Sequence, residues 1–195
     1  NPKLGLSYKQ NKTTYYASFS VANKEPNRDD FEAGTLQQPS AERLYDFEAG
    51  FNQKQTNFNW GLNFYYMDYK DQLVLTGKIN DVGAYTRTNV PKSYRAGIEM
   101  EGAWQINKAW STNGNITFSK NKIKDFVEYF DDYDNGGQAA IPHHNTDIAL
   151  SPNLTAAHSL QYKPTTKWQF IFSSKYVSKQ YLDNTQNEAR TLKAF

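Results

Sequence analysis

The segment of residues 58–69, FNWGLNFYYMDY, places a large apolar or aromatic side chain at every second position. Because side chains on a β-strand point alternately to its two faces, this period predicts a strand with one apolar and one polar face. The aromatic residues crowd the start of the segment, directly after a short polar turn at residues 53–56. If the pattern recurs, the apolar face is more suited to meet lipid than a protein core. The five apolar positions are Phe58, Trp60, Leu62, Phe64 and Tyr66.

The same alternation recurs along most of the chain and predicts an all-β protein. It is strongest in residues 94–106, where apolar residues hold one face and charged or small residues hold the other. Residues 85–90 are expected to be extended and to end at Pro91, since proline interrupts strands. Residues 126–147, with their acidic run, are expected to form a long loop. The other segments with this alternation are residues 3–9, 14–22, 43–53, 110–119, 154–163 and 168–176.

Short and long connections between these segments alternate strictly. Tight turns join neighbouring antiparallel strands, so the pattern predicts an antiparallel up-and-down meander in which every short turn lies at the same edge. Large aromatic residues flank the short turns and not the long loops. They would form a band like the interfacial girdle of an outer-membrane barrel, which has short periplasmic turns and long outer loops. The predicted membrane-interface residues are Tyr8, Phe51, Phe58, Trp60, Trp104, Trp110, Tyr162 and Trp168.

Composition excludes several other classes of protein. The chain of 195 residues has no cysteine, so it has neither a disulfide framework nor a thiolate zinc site. Its net charge of +2 argues against a nucleic-acid partner. No run approaches the roughly 20 apolar residues that a membrane-spanning helix needs, so a helical membrane protein is excluded. This does not exclude a membrane β-barrel, whose strands are apolar on one face only.

A soluble β-sandwich or a lipocalin-type barrel would show similar alternation. Two observations favour the membrane barrel. Residues 94–106 exceed the roughly 9–11 residues that cross a bilayer at a tilt. The polar face of this segment carries Arg95, Glu99 and Glu101, which suit a water-filled lumen and would be costly in a packed core.

Two segments resemble motifs of TonB-dependent outer-membrane receptors. PSAERLYDFEAGF at residues 39–51 is similar to a "P-E-x-x-x-x-Y-E-x-G" pattern, with Glu42 and Glu48 at the acidic positions. TNVPKSYRAGIEMEGAWQI at residues 88–106 resembles a strand with the pattern "G-x-E-x-E", which begins at Gly97. The resemblance covers nearly all of the chain, and its tyrosine- and asparagine-rich style looks like receptors of the Bacteroidetes type.

The resemblance implies that the chain is the C-terminal part of a transmembrane barrel of about 22 strands, which an N-terminal plug domain closes. The plug and the remaining strands would lie outside residues 1–195. The implied function is active nutrient uptake, by default of an iron–siderophore complex, across the outer membrane of a Gram-negative bacterium. The implied partners are the plug, the TonB energy-coupling complex, a small metal chelate or other nutrient, and outer-membrane lipid. Haem is disfavoured because residues 23–42 contain no histidine, whereas vitamin B12 and glycans remain open.

Two groups of charged residues are candidates for contact with a ligand or with the plug. Arg28, Asp29 and Asp30 lie at the start of a long outer loop, where they would contact an anionic ferric chelate or only solvate the loop; solvation is the favoured interpretation. By the resemblance, the lumen residues Arg95, Glu99 and Glu101 would hold the plug through salt bridges.

Other candidate chemistry is weaker. The acidic run at residues 131–136 hints at a calcium loop, but His143 stands where a bidentate glutamate is needed, so a solvated loop is favoured. His143 and His144 with Asp147 could ligate a metal, but adjacent histidines on an extended chain point apart. No catalytic motif is present, and no enzyme activity, metal or cofactor is predicted. The alternatives are a self-contained small outer-membrane barrel of adhesin, structural or enzymatic type, or a soluble β-protein that binds a ligand.

Overall fold

A computed structural model describes residues 1–31, 38–80, 83 and 85–195. Parts of two predicted loops, residues 32–37 and residues 81, 82 and 84, lie outside the described residues. In the described part, no helix has both the length and the apolar character to cross a membrane. The elements are β1 (Lys3–Gln10), β2 (Thr13–Lys24), α1 (Arg28–Phe31), β3 (Glu42–Lys54), β4 (Phe58–Ile79), β5 (Tyr85–Gln105), β6 (Trp110–Asp131), β7 (Gln138–Asp147), β8 (Leu154–Tyr162), β9 (Phe170–Val177), β10 (Gln180–Tyr181) and β11 (Thr191–Leu192).

The strands form one antiparallel sheet in chain order, as the sequence predicts. The order is β1-β2-β3-β4-β5-β6-β8-β9, and β7 pairs with the outer half of β6. Short connections join β1 to β2, β3 to β4, β5 to β6 and β8 to β9, which places all four at one edge of the sheet. At the tightest of them, Asn11 takes a φ of 53°, a left-handed conformation that asparagine tolerates well. The predicted up-and-down meander is therefore confirmed.

The register places the predicted apolar positions on a single face of the sheet. One continuous row across the strands runs Tyr8–Tyr15–Phe51–Leu62–Met100 and goes on to β6, β8 and β9. Residues paired directly across a ladder point to the same side, so each row extends the apolar face. Many of these large side chains are exposed, for example Phe64, Phe118 and Phe172. The sheet thus carries a broad apolar surface that no described residue covers.

The opposite face is polar along the same strands. One of its rows runs Tyr16–Gly50–Asn63–Glu99–Thr117 in continuous pairing from β2 to β6. A single alternating pattern therefore separates an apolar from a polar surface across the whole sheet.

Two sequence expectations are wrong. Residues 126–147 do not form a long loop, because β6 continues to Asp131 and β7 pairs with it from Gln138 onward. Their polar composition hid a hairpin in which exposure does not follow residue type, since Phe130 and Ile141 are exposed while Thr146 and Asp147 are buried. Pro91 does not end a strand but lies inside β5. The pairing of β5 with β6 stops at Ser93, so Pro91 has a partner strand on one side alone, where a missing N–H is tolerated.

The long strands extend the sheet beyond the height of a bilayer. Strands β4, β5 and β6 have 22, 21 and 22 residues, about twice the roughly 9–11 that a crossing needs. Their far halves lie at the edge opposite the short turns and contain Val74, Val90, Ile123 and Phe126, which form a small buried apolar cluster with Ile148, the residue after β7. Packing is therefore concentrated above the crossing section, where the β4/β5 and β6/β7 hairpins meet.

One glutamine side chain joins the two hairpins. Gln138 at the start of β7 donates a hydrogen bond from Nε2 to the carbonyl oxygen of Gly77 (2.9 Å). Its Oε1 accepts one from the backbone N–H of Ile79 (3.1 Å). Gly77 has a φ of 82°, and a side chain there would collide with the carbonyl group of Tyr129. Glycine at this position therefore permits the close approach of the β4/β5 hairpin to β6.

Candidate functional site

The predicted interface aromatics all lie beside the short turns. Those in strands occupy the apolar face, where Trp110 and Tyr162 are paired across β6 and β8 with ring centroids 4.2 Å apart. Phe51 and Trp60 meet edge to face at 4.8 Å. Trp168 precedes β9 and stacks against Phe170 at 6.3 Å. The remaining predicted members are Tyr8, Phe58 and Trp104, with Phe58 and Trp104 paired directly across β4 and β5.

The predicted lumen residues lie on the polar face of β5 but do not form one cluster. Glu99 and Glu101 are adjacent on this face and exposed, and Asn63 donates a 3.4 Å hydrogen bond to Glu99 Oε2. Arg95 lies four residues away, about 13 Å along the strand. It donates from Nη1 to Ser151 Oγ at 2.9 Å. The two glutamates are therefore exposed on the polar face, whereas Arg95 also holds the segment between β7 and β8 that contains Ser151.

Two tyrosines lie flat against this polar face. Tyr16 extends over Gly50 of β3 and donates to Asn63 Oδ1 of β4 (3.0 Å). Tyr65 extends in the same way over Gly97 of β5. Sequence reasoning missed both tyrosines. The glycines of the two recognised motifs, Gly50 and Gly97, could have indicated them, because these are the positions that the two tyrosines cover.

The three charged residues at 28–30 have different environments. Asp30 is 3% exposed and accepts a bidentate pair from Arg87 of β5, Nε to Oδ1 at 2.7 Å and Nη2 to Oδ2 at 3.1 Å. Its Oδ2 also accepts from the backbone N–H of Asn27. Arg28 and Asp29 are exposed. Asp30 therefore anchors α1 to the sheet, and its two neighbours remain open to solvent.

A pocket of about 710 Å³ opens between the outer ends of the two long hairpins and the segment after β10. Its apolar wall includes Leu75, Leu150 and Leu182, each of them at least 49% exposed. Ring side chains of Phe130 and of the highly exposed Tyr85 and Tyr133 also line it. This volume lies in the range of small-molecule sites, and the mixed apolar and polar lining is typical of them. The charged lining residues are Glu128, Asp131, Asp183 and Arg190.

A chain of charged contacts crosses the floor of this pocket. Arg190 Nη1 donates to Asp183 Oδ2 at 3.0 Å and to Glu128 Oε1 at 3.4 Å. Glu128 Oε2 lies 2.8 Å from His143 Nε2. Burial favours the neutral form of Asp183, but hydrogen bonds from Thr185 and Arg190 outweigh it and hold the pKa of Asp183 below its usual value. The same contact with Asp183 raises the pKa of Arg190.

The other metal candidates are held by local hydrogen bonds. Asp132 accepts from the backbone N–H groups of Asp134 and Asn135 and from Asn135 Nδ2, which lowers its pKa. These contacts close the β6/β7 turn. His144 pairs with Asp125 instead of joining the contact of His143 with Glu128. Within the described residues, no three potential metal ligands come together.

Comparison with known proteins identifies the family of this sheet. The whole chain, residues 1–195, matches the family described as "TonB dependent receptor-like, beta-barrel". The chain belongs to the TonB-dependent receptor β-barrel family. Proteins of this family sit in the Gram-negative outer membrane. No curated protein matches the sequence.

Solved structures of TonB-dependent receptors share the fold at low sequence identity. The siderophore receptor PiuA from Acinetobacter baumannii superposes with a TM-score of 0.75 at 16% identity, over 99% of this chain and 28% of PiuA. The copper transporter OprC gives 0.70 at 16% identity, over 99% of this chain and 29% of OprC. The ferric yersiniabactin uptake receptor FyuA from Yersinia pestis gives 0.65 at 17%, over 99% and 28%. The chain thus spans less than a third of the length of these receptors.

Proposed function

We propose that this chain is part of the wall of a TonB-dependent outer-membrane transporter. The observation that carries the proposal is the separation of an apolar from a polar surface across an antiparallel sheet whose strands exceed a membrane crossing. In a barrel, the apolar face meets lipid and the polar face lines the lumen. The aromatic residues beside the short turns, from Tyr8 to Trp168, then lie at the periplasmic headgroup level. The β4/β5 and β6/β7 hairpins extend outside the cell.

The open sheet favours a large barrel over a small self-contained one. In the described residues, β1 pairs only with β2, and β9 pairs with β8 alone except at its last residue, Val177, which exchanges two backbone hydrogen bonds with Phe195. An unpaired edge cannot lie in hydrocarbon, because its N–H and C=O groups would have no partners. Further strands on both sides would satisfy these edges, as in a barrel of about 22 strands.

The polar face is suited to hold a plug domain with basic residues. Glu99 and Glu101 are exposed on it, and Glu48 lies on the same face of β3. Charged pairs of this kind fix the position of a partner and favour the correct orientation. Release of the plug by TonB would break these contacts and open the lumen. The glutamates would therefore hold the plug in place in the closed state.

An iron–siderophore complex is the substrate that the relatives favour. PiuA is a siderophore receptor and FyuA takes up ferric yersiniabactin, but OprC is a copper transporter. The outer pocket beside β6 is the candidate site of first contact. Exposed Arg28 and Asp29 are additional candidates at the start of another outer loop, with Asp30 as their anchor.

Growth on defined iron sources tests the proposal. A deletion strain should lose growth on at least one ferric siderophore as its sole iron source, and the full-length gene should restore it. The complemented strain should lose this growth again when TonB is removed, whereas growth on ferrous iron should not change. Uptake that persists without the gene on every iron source would contradict the proposed substrate. Uptake that is independent of TonB would contradict the transport mechanism.

A further inference from the structure

We infer that the outer pocket selects an uncharged or positively charged ferric chelate and rejects a polyanionic one. The inference rests on the proposed function and specifies its substrate class. It depends on three features of the pocket between the two hairpins: the excess of carboxylates in its lining, the occupation of its arginine by those carboxylates, and its apolar and aromatic walls.

The lining carries more negative than positive charge. Glu128, Asp131 and Asp183 contribute three carboxylates, and Arg190 is the one cation among the described lining residues. Lys78 lies close by, 5.2 Å from the ring centroid of Tyr129, but outside the lining. His143 contacts Glu128 from the adjacent strand and adds a positive charge when it is protonated. With His143 neutral, the lining has an excess of two negative charges, so an anion would enter against the local potential.

The positive charge of Arg190 is offset by two carboxylates. Its Nη1 donates to Asp183 at 3.0 Å and to Glu128 at 3.4 Å, so an anionic ligand would compete with both for this guanidinium. Receptors that bind anions by arginine present the guanidinium fork free toward the ligand. In this pocket the guanidinium instead ties the segment after β10 to strand β6.

The walls suit a partly apolar ligand with hydrogen-bond donors. Leu75, Leu150 and Leu182 expose apolar surface, and Tyr133 is 91% exposed at the rim. The carboxylates accept hydrogen bonds but donate none, so they fit amide, hydroxyl or ammonium groups. Three doubly deprotonated catecholates around Fe³⁺ give a trianion, whereas three hydroxamates give an uncharged complex. An ammonium group on a trihydroxamate makes it cationic, and the pocket therefore matches the hydroxamate class.

Binding to the purified full-length receptor tests this inference with three chelates of different charge. These are cationic ferrioxamine B, uncharged ferrichrome and trianionic ferric enterobactin, each titrated at low and at physiological salt. We expect at least one of the first two to bind about tenfold or more tightly than ferric enterobactin, and the difference to shrink with salt. Comparison of ferrioxamine B with ferrichrome shows whether positive charge adds to selection or whether neutrality is enough.

Charge-removing variants separate electrostatic selection from shape. Asp131→Asn removes a charge and leaves an oxygen that can still accept from Gln138. We expect this variant to bind ferric enterobactin about threefold more tightly, with no change for ferrichrome, and addition of Glu128→Gln to increase the effect. Asp125→Asn is the matched control, because Asp125 is on the same strand, is exposed and pairs with His144 outside the pocket.

The outcomes distinguish this inference from the proposed function. Tighter binding of ferric enterobactin, or a preference that Asp131→Asn does not alter, would overturn the charge selection while leaving a siderophore receptor in place. Failure of all three chelates to bind, together with growth on iron sources that does not depend on the gene, would overturn both.

Discussion

Tyr65 of β4 lies across Gly97 of β5, and the absence of a side chain on Gly97 is what makes room for it. A methyl group at Gly97 would come within 2.5 Å of Tyr65 Oη and 2.6 Å of the carbonyl oxygen of Phe118. Tyr16 and Gly50 repeat the arrangement two strands away. The motif glycines of β3 and β5 therefore have a packing role: they let tyrosines lie flat on the polar face.

Gly97→Ala should lower the stability of the folded barrel. The added methyl has to displace Tyr65 and also meets the backbone of β6, an overpacking that costs about 1–3 kcal/mol. Gly102→Ala is the matched control on the same strand, because a methyl group there meets nothing closer than 3.7 Å. Urea unfolding of the full-length protein in detergent, followed by its heat-sensitive migration on gels, measures both. Equal midpoints for the two variants would contradict this role of Gly97.

Asp30 and Arg87 should show strong coupling in a double-mutant cycle. Their bidentate contact is buried on the Asp30 side, so removal of either partner leaves a charge without its counterpart, at a cost of about 3–5 kcal/mol for fully buried pairs. Arg87 is 30% exposed, and the effect should lie below that range. Asp29→Ala, one residue away and exposed, should change unfolding little. Additive effects of Asp30→Ala and Arg87→Ala would show that the pair is not a unit.

The sequence predicts the crossing part of the sheet well, because there one physical rule determines every position. Residues such as Leu62 and Asn63 are neighbours in the chain but lie on the apolar and the polar face, and this alternation is readable without a structure. Above the crossing part the rule fails. In the β6/β7 hairpin exposure does not follow residue type, since Phe130 and Ile141 are exposed while Thr146 and Asp147 are buried, and the pairing depends on β6 continuing past residue 126.

The outer pocket could not be predicted from the sequence for a related reason. Its charged floor joins Glu128 to Arg190, which are 62 residues apart and lie in different outer segments. No spacing rule connects such positions, since the contact depends on how the hairpins lean toward each other. Asp30 illustrates the same limit: its acidic neighbourhood indicates a solvated loop, yet the distant Arg87 buries it.

Ile116→Arg should destabilise the protein far more than Thr117→Arg. Ile116 lies on the apolar face, six residues from Trp110 of the aromatic band. This is about 20 Å along the strand, or about 15 Å of depth at the tilt of about 40° typical of membrane barrels, which is close to the bilayer midplane. A cation on the lipid face at this depth costs about 2–4 kcal/mol, whereas a lumen position tolerates it. Thr117→Arg on the opposite face is the control. Folding yield in lipid vesicles measures both, and similar yields would contradict the assignment of the faces.

The contact between Asp183 and Arg190 should weaken only at strongly acidic pH. Because the folded-state pKa of Asp183 is below its usual value of 3.8, its stabilising effect is complete above 3.8 and is lost as the pH falls through the lower folded value. The N–H of Thr185 donates to Asp183 Oδ1 at 2.9 Å and reports on this contact. Its hydrogen-exchange protection should be constant from pH 7 to about 5 and should fall by roughly tenfold below the folded pKa, as expected for the loss of one charge-assisted hydrogen bond. In Asp183→Asn the protection should be low throughout, and in Asp125→Asn it should follow the parent protein. A loss of protection already between pH 7 and 5 in the parent protein would show that another group holds this segment.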